Sequence, residues 1–231
     1  MIQKWTIATF RPVSLFSLRS TISTSSGGKT VFVPTPYSVK MALIDAAFRM
    51  GDEKLAKECF QHLRQVEVRI RPPENLVVNH TFIKVLRASR ETPGTYGSTI
   101  AFREFASFSG DMDIALGISD WEKLSPLLRH INYFGKRGSF FQLADIRCEN
   151  ELPSGFMKEI PSELEECDAS YQVAQKLDDF GELKDKDFDI INSYGKSRAQ
   201  LGKHRVLKEY LLPYQPIQSS QHYDLYRRGH A

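Results

Sequence analysis

The run Gly135-Lys136-Arg137-Gly138-Ser139 is the most pointed chemical signal in the sequence. Glycines let a backbone come close to a phosphate, and successive N–H groups in such a turn can form an anion nest. Lys136 and Arg137 bring positive charge, and the Ser139 hydroxyl can donate a hydrogen bond. The same glycines also suit a purely mechanical role, a tight helix-to-strand turn that needs φ > 0. The G-x-x-x-x-G-K-[ST] spacing of a Walker loop is missing. A second set, Lys84, Arg87, Arg90 and Arg103 with Tyr96, Phe102 and Phe105, mixes cations with aromatic rings. Such side chains on a protruding hairpin grip a sugar-phosphate chain and stack on unpaired bases.

Signals for catalysis are sparse. The six histidines (His62, His80, His130, His204, His222 and His230) include no H-E-x-x-H and no paired metal spacing, and there is no G-x-S-x-G. Cys59, Cys148 and Cys167 are widely spaced, with no C-x-x-C, so neither a metal site nor a disulfide framework is expected. No cofactor is implied. His80, near Lys84 in spacing, is the candidate for acid–base work on RNA, a reaction that by 2′-hydroxyl attack needs no metal.

The 231 residues allow one large domain, or a domain with a sizeable appendage. No apolar run approaches the ~18 to 20 residues that span a bilayer, and the cysteine usage fits a reduced, cytoplasmic compartment. The net charge of +3 hides an asymmetry. Residues 1–148 carry 20 basic and 13 acidic side chains, residues 149–189 carry 4 and 13, and residues 190–231 carry 7 and 2. A basic body and basic tail suit an anionic partner, while the acidic block reads as solvated surface or a protein-facing patch.

These side chains need elements to position them. Lys4 to Phe10 alternates Trp5, Ile7 and Thr9 against Lys4, Thr6 and Ala8, which predicts a strand with the first set inward. A Ser- and Arg-rich stretch follows, with no acidic residue before Asp45, a composition shared with organellar leaders. Ser38 is placed to cap a helix over 39–49, and a second helix is expected over 52–63. Gln65 to Arg71 reads as a half-buried strand. Leu76 to Arg87 and Ser98 to Phe108, joined by a turn-rich loop, predict a long β-hairpin. Met112 to Ile118 is a further strand. Ser119 and Glu122 form a capping box for a helix on Leu124, Leu127, Leu128 and Ile131, and Phe140 to Ile146 is the last strand of the body. Within the acidic block, 162–177 reads as a short helix.

With the hairpin set aside, the order is strand, helix, strand, strand, helix, strand. The expected fold class is therefore α+β: a ferredoxin-like or RRM-like βαββαβ domain over 1–148, with an inserted hairpin at about 76–108. Residues 149–231 are expected to be an acidic linker followed by a basic C-terminal segment.

Three blocks add a family resemblance. Val33-Pro34-Thr35-Pro36-Tyr37-Ser38 resembles the helix entry of the CRISPR-associated Cas five family, part of the RAMP superfamily. Asn79 to Arg87 with Ile100 to Phe105, and Phe134 to Phe141, are similar to later blocks of that family in type I systems. The resemblance covers about residues 1–148, and the final third departs from it. It implies a non-catalytic subunit of Cascade, the type I surveillance complex of antiviral defence, or of a transposon that uses such a complex for RNA-guided targeting. The body would bind the 5′ handle of the CRISPR RNA, with Lys136, Arg137 and Ser139 at the handle. The hairpin, carrying Lys84, Arg87, Arg90, Tyr96 and Arg103, would be a thumb reaching the Cas seven backbone subunit. A large subunit of the Cas eight type would dock close by, target DNA would be met through the complex, and no membrane is involved. Two other readings stay open: a metal-independent endoribonuclease with His80 or Tyr96 as acid–base groups, and an organellar α+β protein with a removable leader.

Overall fold

A computed structural model describes residues 4–24, 27–89, 91–118, 121–160 and 173–229. Strand β1 (Trp5–Pro12) runs at the middle of an antiparallel sheet. Two short glycines form β2 (Gly27–Gly28), and the chain then enters helices α1 (Pro36–Arg49) and α2 (Glu53–Leu63). Strand β3 (Val68–Arg71) leads into the long strands β4 (Asn75–Ala88) and β5 (Tyr96–Ser109). Strand β6 (Met112–Leu116), helix α3 (Trp121–Arg129) and strand β7 (Phe141–Glu149) follow. The remaining elements are β8 (Lys158–Glu159), β9 (Val173–Phe180), α4 (Phe188–Ile191), β10 (Arg205–Leu212), β11 (Tyr214–Ser219) and β12 (Tyr223–Arg228).

Three sheets result, ordered β3-β6-β1-β7, β8-β10-β9 and β11-β12-β4-β5-β2. The first carries α1 and α3 on one face, where Ala8 and Phe10 of β1 enter the main core with Val39, Leu43, Ile114 and Leu116. The other face holds Trp5 and Ile7, which Phe156 covers in a small second cluster. The predicted inward set therefore lies on the face away from the main core. Both faces of this central strand are covered, so the alternation alone could not tell them apart. Residues that a removable leader would include thus form the strand between β6 and β7.

Helix α1 begins one turn earlier than expected. Thr35, not Ser38, is its cap: the Thr35 hydroxyl accepts from the Ser38 N–H at 3.1 Å, with Pro36 at the first position. Asp52 caps α2 by accepting from Lys54 and Leu55 N–H groups. The expected box at Ser119 lies outside the described residues.

The acidic block departs most from expectation. Its predicted helix over 162–177 is contradicted at its described end, because Val173 to Leu177 lie in strand β9, paired to β10 in an eight-residue ladder. Leu177 and Phe180 join the core with Tyr210, Leu212 and Tyr214, and β9 packs against α1. Nor are the acids simply solvated. Asp179 meets Lys40 at 2.7 Å with side chains 9% and 2% exposed, Asp178 holds Arg205, and Asp185 meets Arg64 at 2.8 Å.

Candidate functional site

The predicted hairpin forms in full register, from Asn75 opposite Ser109 to Ala88 opposite Tyr96. Its base is flanked by β12, which reaches Asn79, and by β2, which meets Phe102 and Arg103. The six pairs from Ile83–Ala101 to Ala88–Tyr96 pass beyond both neighbours, an arm of roughly 20 Å at ~3.4 Å per residue. Opposed residues share a face, so one face continues outward from the buried Leu76, Val78 and Ala106. Beyond the body that face bears Phe82, Leu86, Ile100 and Tyr96, each 70–73% exposed, with Lys84 among them.

The predicted hairpin residues are therefore divided. Lys84 and Tyr96 lie on the apolar face, and Arg87 on the opposite one. Arg103 is not at the tip: it packs over Gly28 at the root, and its Nη1 donates to the Phe102 carbonyl at 2.6 Å. Arg90 lies outside the described residues.

The glycine turn links α3 to β7. Gly135 has φ +69° and Gly138 φ +101°, so the mechanical need for glycine is real. A Cβ at Gly135 would also come within 2.8 Å of Leu18 Cδ1. Ser139 is a correction. It is 3% exposed, and its Oγ accepts from the Ser17 N–H at 3.1 Å, so it ties the N-terminal loop to the turn and offers no open contact. Ser14 adds a second tie, donating to the Gly138 carbonyl and accepting from the Phe140 N–H. Lys136 and Arg137 are exposed and pair with no described carboxylate, and the N–H groups of residues 135–138 donate to no described acceptor. The turn keeps the charge and the free donors of an anion nest without the serine.

Behind the turn lies a cavity of about 650 Å³, lined by the N-terminal loop, α1, Gly135 and residues 190–199. Four arginines reach it, and they are not equivalent. Arg49 is held by Asp45 at 2.9 Å, and Arg205 is held by Asp178 while lying 4.5 Å from the Tyr37 ring centre. Arg19 and Arg198 are exposed and pair with no carboxylate among the described residues. Arg19, Tyr133 and Arg198 are the residues the sequence did not single out as a site. Arg198 stood in the basic tail and Arg19 in the Ser/Arg loop, but nothing local joins them to a turn more than 60 residues before one and 110 after the other.

His80 sits at the root of the hairpin, its Nε2 3.2 Å from Asp224 Oδ2 and 3.9 Å from the buried Glu104. Glu104 is itself fixed, accepting from the Thr30 N–H at 2.9 Å. Tyr96 is eight residues farther along the ladder, about 27 Å away, so the two candidate acid–base groups are not brought together. Cys59 is buried, and burial pushes its thiol up to about 12, which leaves it protonated and inert. Among the described residues no cluster of His, Cys, Asp or Glu could hold a metal ion, and no helix is long and apolar enough to cross a membrane.

No family model matches the chain. Over 160 residues, 68% of this chain and 70% of the relative, it is 27% identical to a curated CRISPR-associated protein Cas5 of Archaeoglobus fulgidus. A crystal structure of a CRISPR protein from the same organism aligns over 98% of this chain and 92% of that one, at TM-score 0.46 and 14% identity. A chain of a type III-B Cmr-beta complex bound to cognate target RNA aligns over 63% and 61%, at TM-score 0.47 and 10% identity. Similarity at that level carries no argument, and the sequence match is the finding that counts. The resemblance to the CRISPR-associated Cas five family is thus shown in a curated relative that aligns with about two thirds of this chain.

Proposed function

We propose that this chain is the RNA-binding subunit of a type I CRISPR Cascade complex, one that caps the 5′ handle of the CRISPR RNA and does not cut it. The observation that carries the reading is the glycine turn, where unpaired Lys136 and Arg137 and four unengaged N–H groups face solvent beside a cavity with two free guanidinium groups. An anionic strand is the partner that uses all of them at once. The match to a Cas5 protein supports the same conclusion. The order β1, α1–α2, β3, β6, α3, β7 within one antiparallel sheet supports the ferredoxin-like plan for the body.

The hairpin is the arm to a neighbouring subunit. Large apolar groups held at 70% exposure on one face suit burial against protein, with Lys84 to meet a carboxylate there. Arg87, on the other face, is left for RNA. The backbone subunit of the Cas seven type is the partner this reading assigns to the arm.

Replacing Lys136 and Arg137 together by alanine tests the reading. Affinity for the CRISPR RNA should fall, and the slope of log K against log salt should flatten by about 0.7 for each lost phosphate contact. Unchanged affinity and slope at low and moderate salt would overturn it. RNA cleavage has one observation in its favour, the imidazole of His80 held by Asp224 and Glu104. Incubating the protein with repeat RNA in EDTA separates the two: binding alone leaves the RNA intact, whereas cutting lost in His80→Ala would establish a nuclease.

A further inference from the structure

We propose that the cavity behind the Gly135 turn receives one unstacked nucleotide of the bound strand, with its base on Tyr133 and its phosphate served by Arg19 and Arg198. The proposal rests on the RNA-binding reading and names a place and a chemistry within it.

Size is the first argument. The volume, about 650 Å³, lies in the ~300 to 1,000 Å³ range of clefts that take a small ligand. The lining is graded as a nucleotide requires. Leu18, Met41 and Ala42 supply half-buried apolar surface at the floor. Two tyrosines reach the cavity, and only one is available. Tyr37 is occupied, with Arg205 over its ring and the edge of Phe180 at 5.5 Å. Tyr133 is half-buried and has no ring or cation partner among the described residues, while its backbone is fixed by a bridge to Phe140. A planar base stacks on such a ring without regard to its identity.

Charge is the second argument. Arg49 and Arg205 are neutralised by Asp45 and Asp178 and serve the fold. Arg19 and Arg198 enter from opposite ends of the sequence, and neither has a described counter-ion. Gly135 joins the two parts of the site, since it lines the cavity while Lys136 and Arg137 follow it on the exposed turn. A strand with one base in the cavity would thus run its next phosphates along the turn. An acidic protein segment would use the cations and leave the apolar floor and the tyrosine unmatched.

The experiment uses the full chain and two eight-nucleotide probes, uridine RNA and the same ribose-phosphate backbone without bases, with binding followed by fluorescence anisotropy. Tyr133→Ala should weaken binding of the uridine RNA about tenfold and leave the baseless strand unaffected. Tyr133→Phe, which keeps the ring, should restore the affinity, and this excludes a folding defect as the cause. Arg198→Ala should weaken both probes and lower the salt slope by about 0.7. If Tyr133→Ala and Arg198→Ala bind both probes as the parent does, while Lys136→Ala with Arg137→Ala weakens them, the cavity assignment is overturned and the RNA reading stands. If the parent protein binds neither probe, both are overturned.

Discussion

Asp113 is 2% exposed and accepts from Thr9 Oγ1 at 2.6 Å, from Arg147 Nη2 at 2.8 Å and from Arg71. Burial by itself would raise its pKa, but the hydrogen bonds from Arg147 and Thr9 and the charges of Arg71 and Arg147 outweigh that and hold it below the ordinary 3.8. A carboxylate depressed in the folded state binds fewer protons there than in the unfolded chain. Its stabilisation is therefore complete above the unfolded pKa and is lost as pH falls through the folded one. Asp113→Asn should cost about 2 to 3 kcal/mol at pH 7 in urea unfolding, with the difference from the parent shrinking below about pH 3. Lys40 behaves in the opposite sense, since burial lowers its pKa against the pull of Asp179. Asp179→Ala, which strands that ammonium, should cost about 3 to 5 kcal/mol, and Lys40→Met added to it should recover much of the loss. At this scale the sequence was legible for Lys136 and Arg137, whose flanking glycines mark a turn. It was not legible for Ser139, because only the fold shows that the Ser17 N–H had already claimed its hydroxyl.

The hairpin shows what alternation can and cannot say about an element. Two β-branched runs around a Gly- and Pro-containing turn were enough to place both strands to within a residue or two. Which residues share a face follows from the period of two, yet which face meets the body depends on β12 and β2, far away in sequence. Hence Lys84, Arg87 and Arg103, similar in type, have three different surroundings. Phe82→Ser with Ile100→Ser should change stability by no more than about 0.5 kcal/mol, because both side chains are solvated in the free chain. The same pair should sharply reduce co-purification with the neighbouring subunit, and retention at the parental level would remove the arm from that interface. Gly135→Ala belongs to this scale too. Positive φ and the contact with Leu18 should lower stability by about 1 to 3 kcal/mol and weaken RNA binding by displacing the turn.

For the molecule as a whole, the final third was the least legible part. Val173 to Phe180 carries Asp178 and Asp179 side by side, which in isolation reads as solvated chain. Their counter-charges come from α1 and β10, and Lys40 is 139 residues from Asp179. Only long-range pairing makes this segment a strand. Removal of residues 173–231 should accordingly take away β9 and the core contributions of Leu177, Tyr210, Leu212 and Tyr214. Such a chain should lose its cooperative thermal transition by circular dichroism rather than melt a few degrees lower. The body over 1–148 was read correctly in its order of elements, since each of those elements has a local signature of caps, breakers or period.

The pairing of β12 with β4 also sets a schedule for biogenesis. Ser109 ends the hairpin, but the strand that braces its lower half finishes at Arg228. At ~5 to 20 residues per second, a ribosome needs roughly 10 s to bridge that interval. During it the nascent chain presents an unbraced ribbon edge and a greasy arm together, so chaperone occupancy of ribosome-bound intermediates should be greatest there and fall once the last strand emerges.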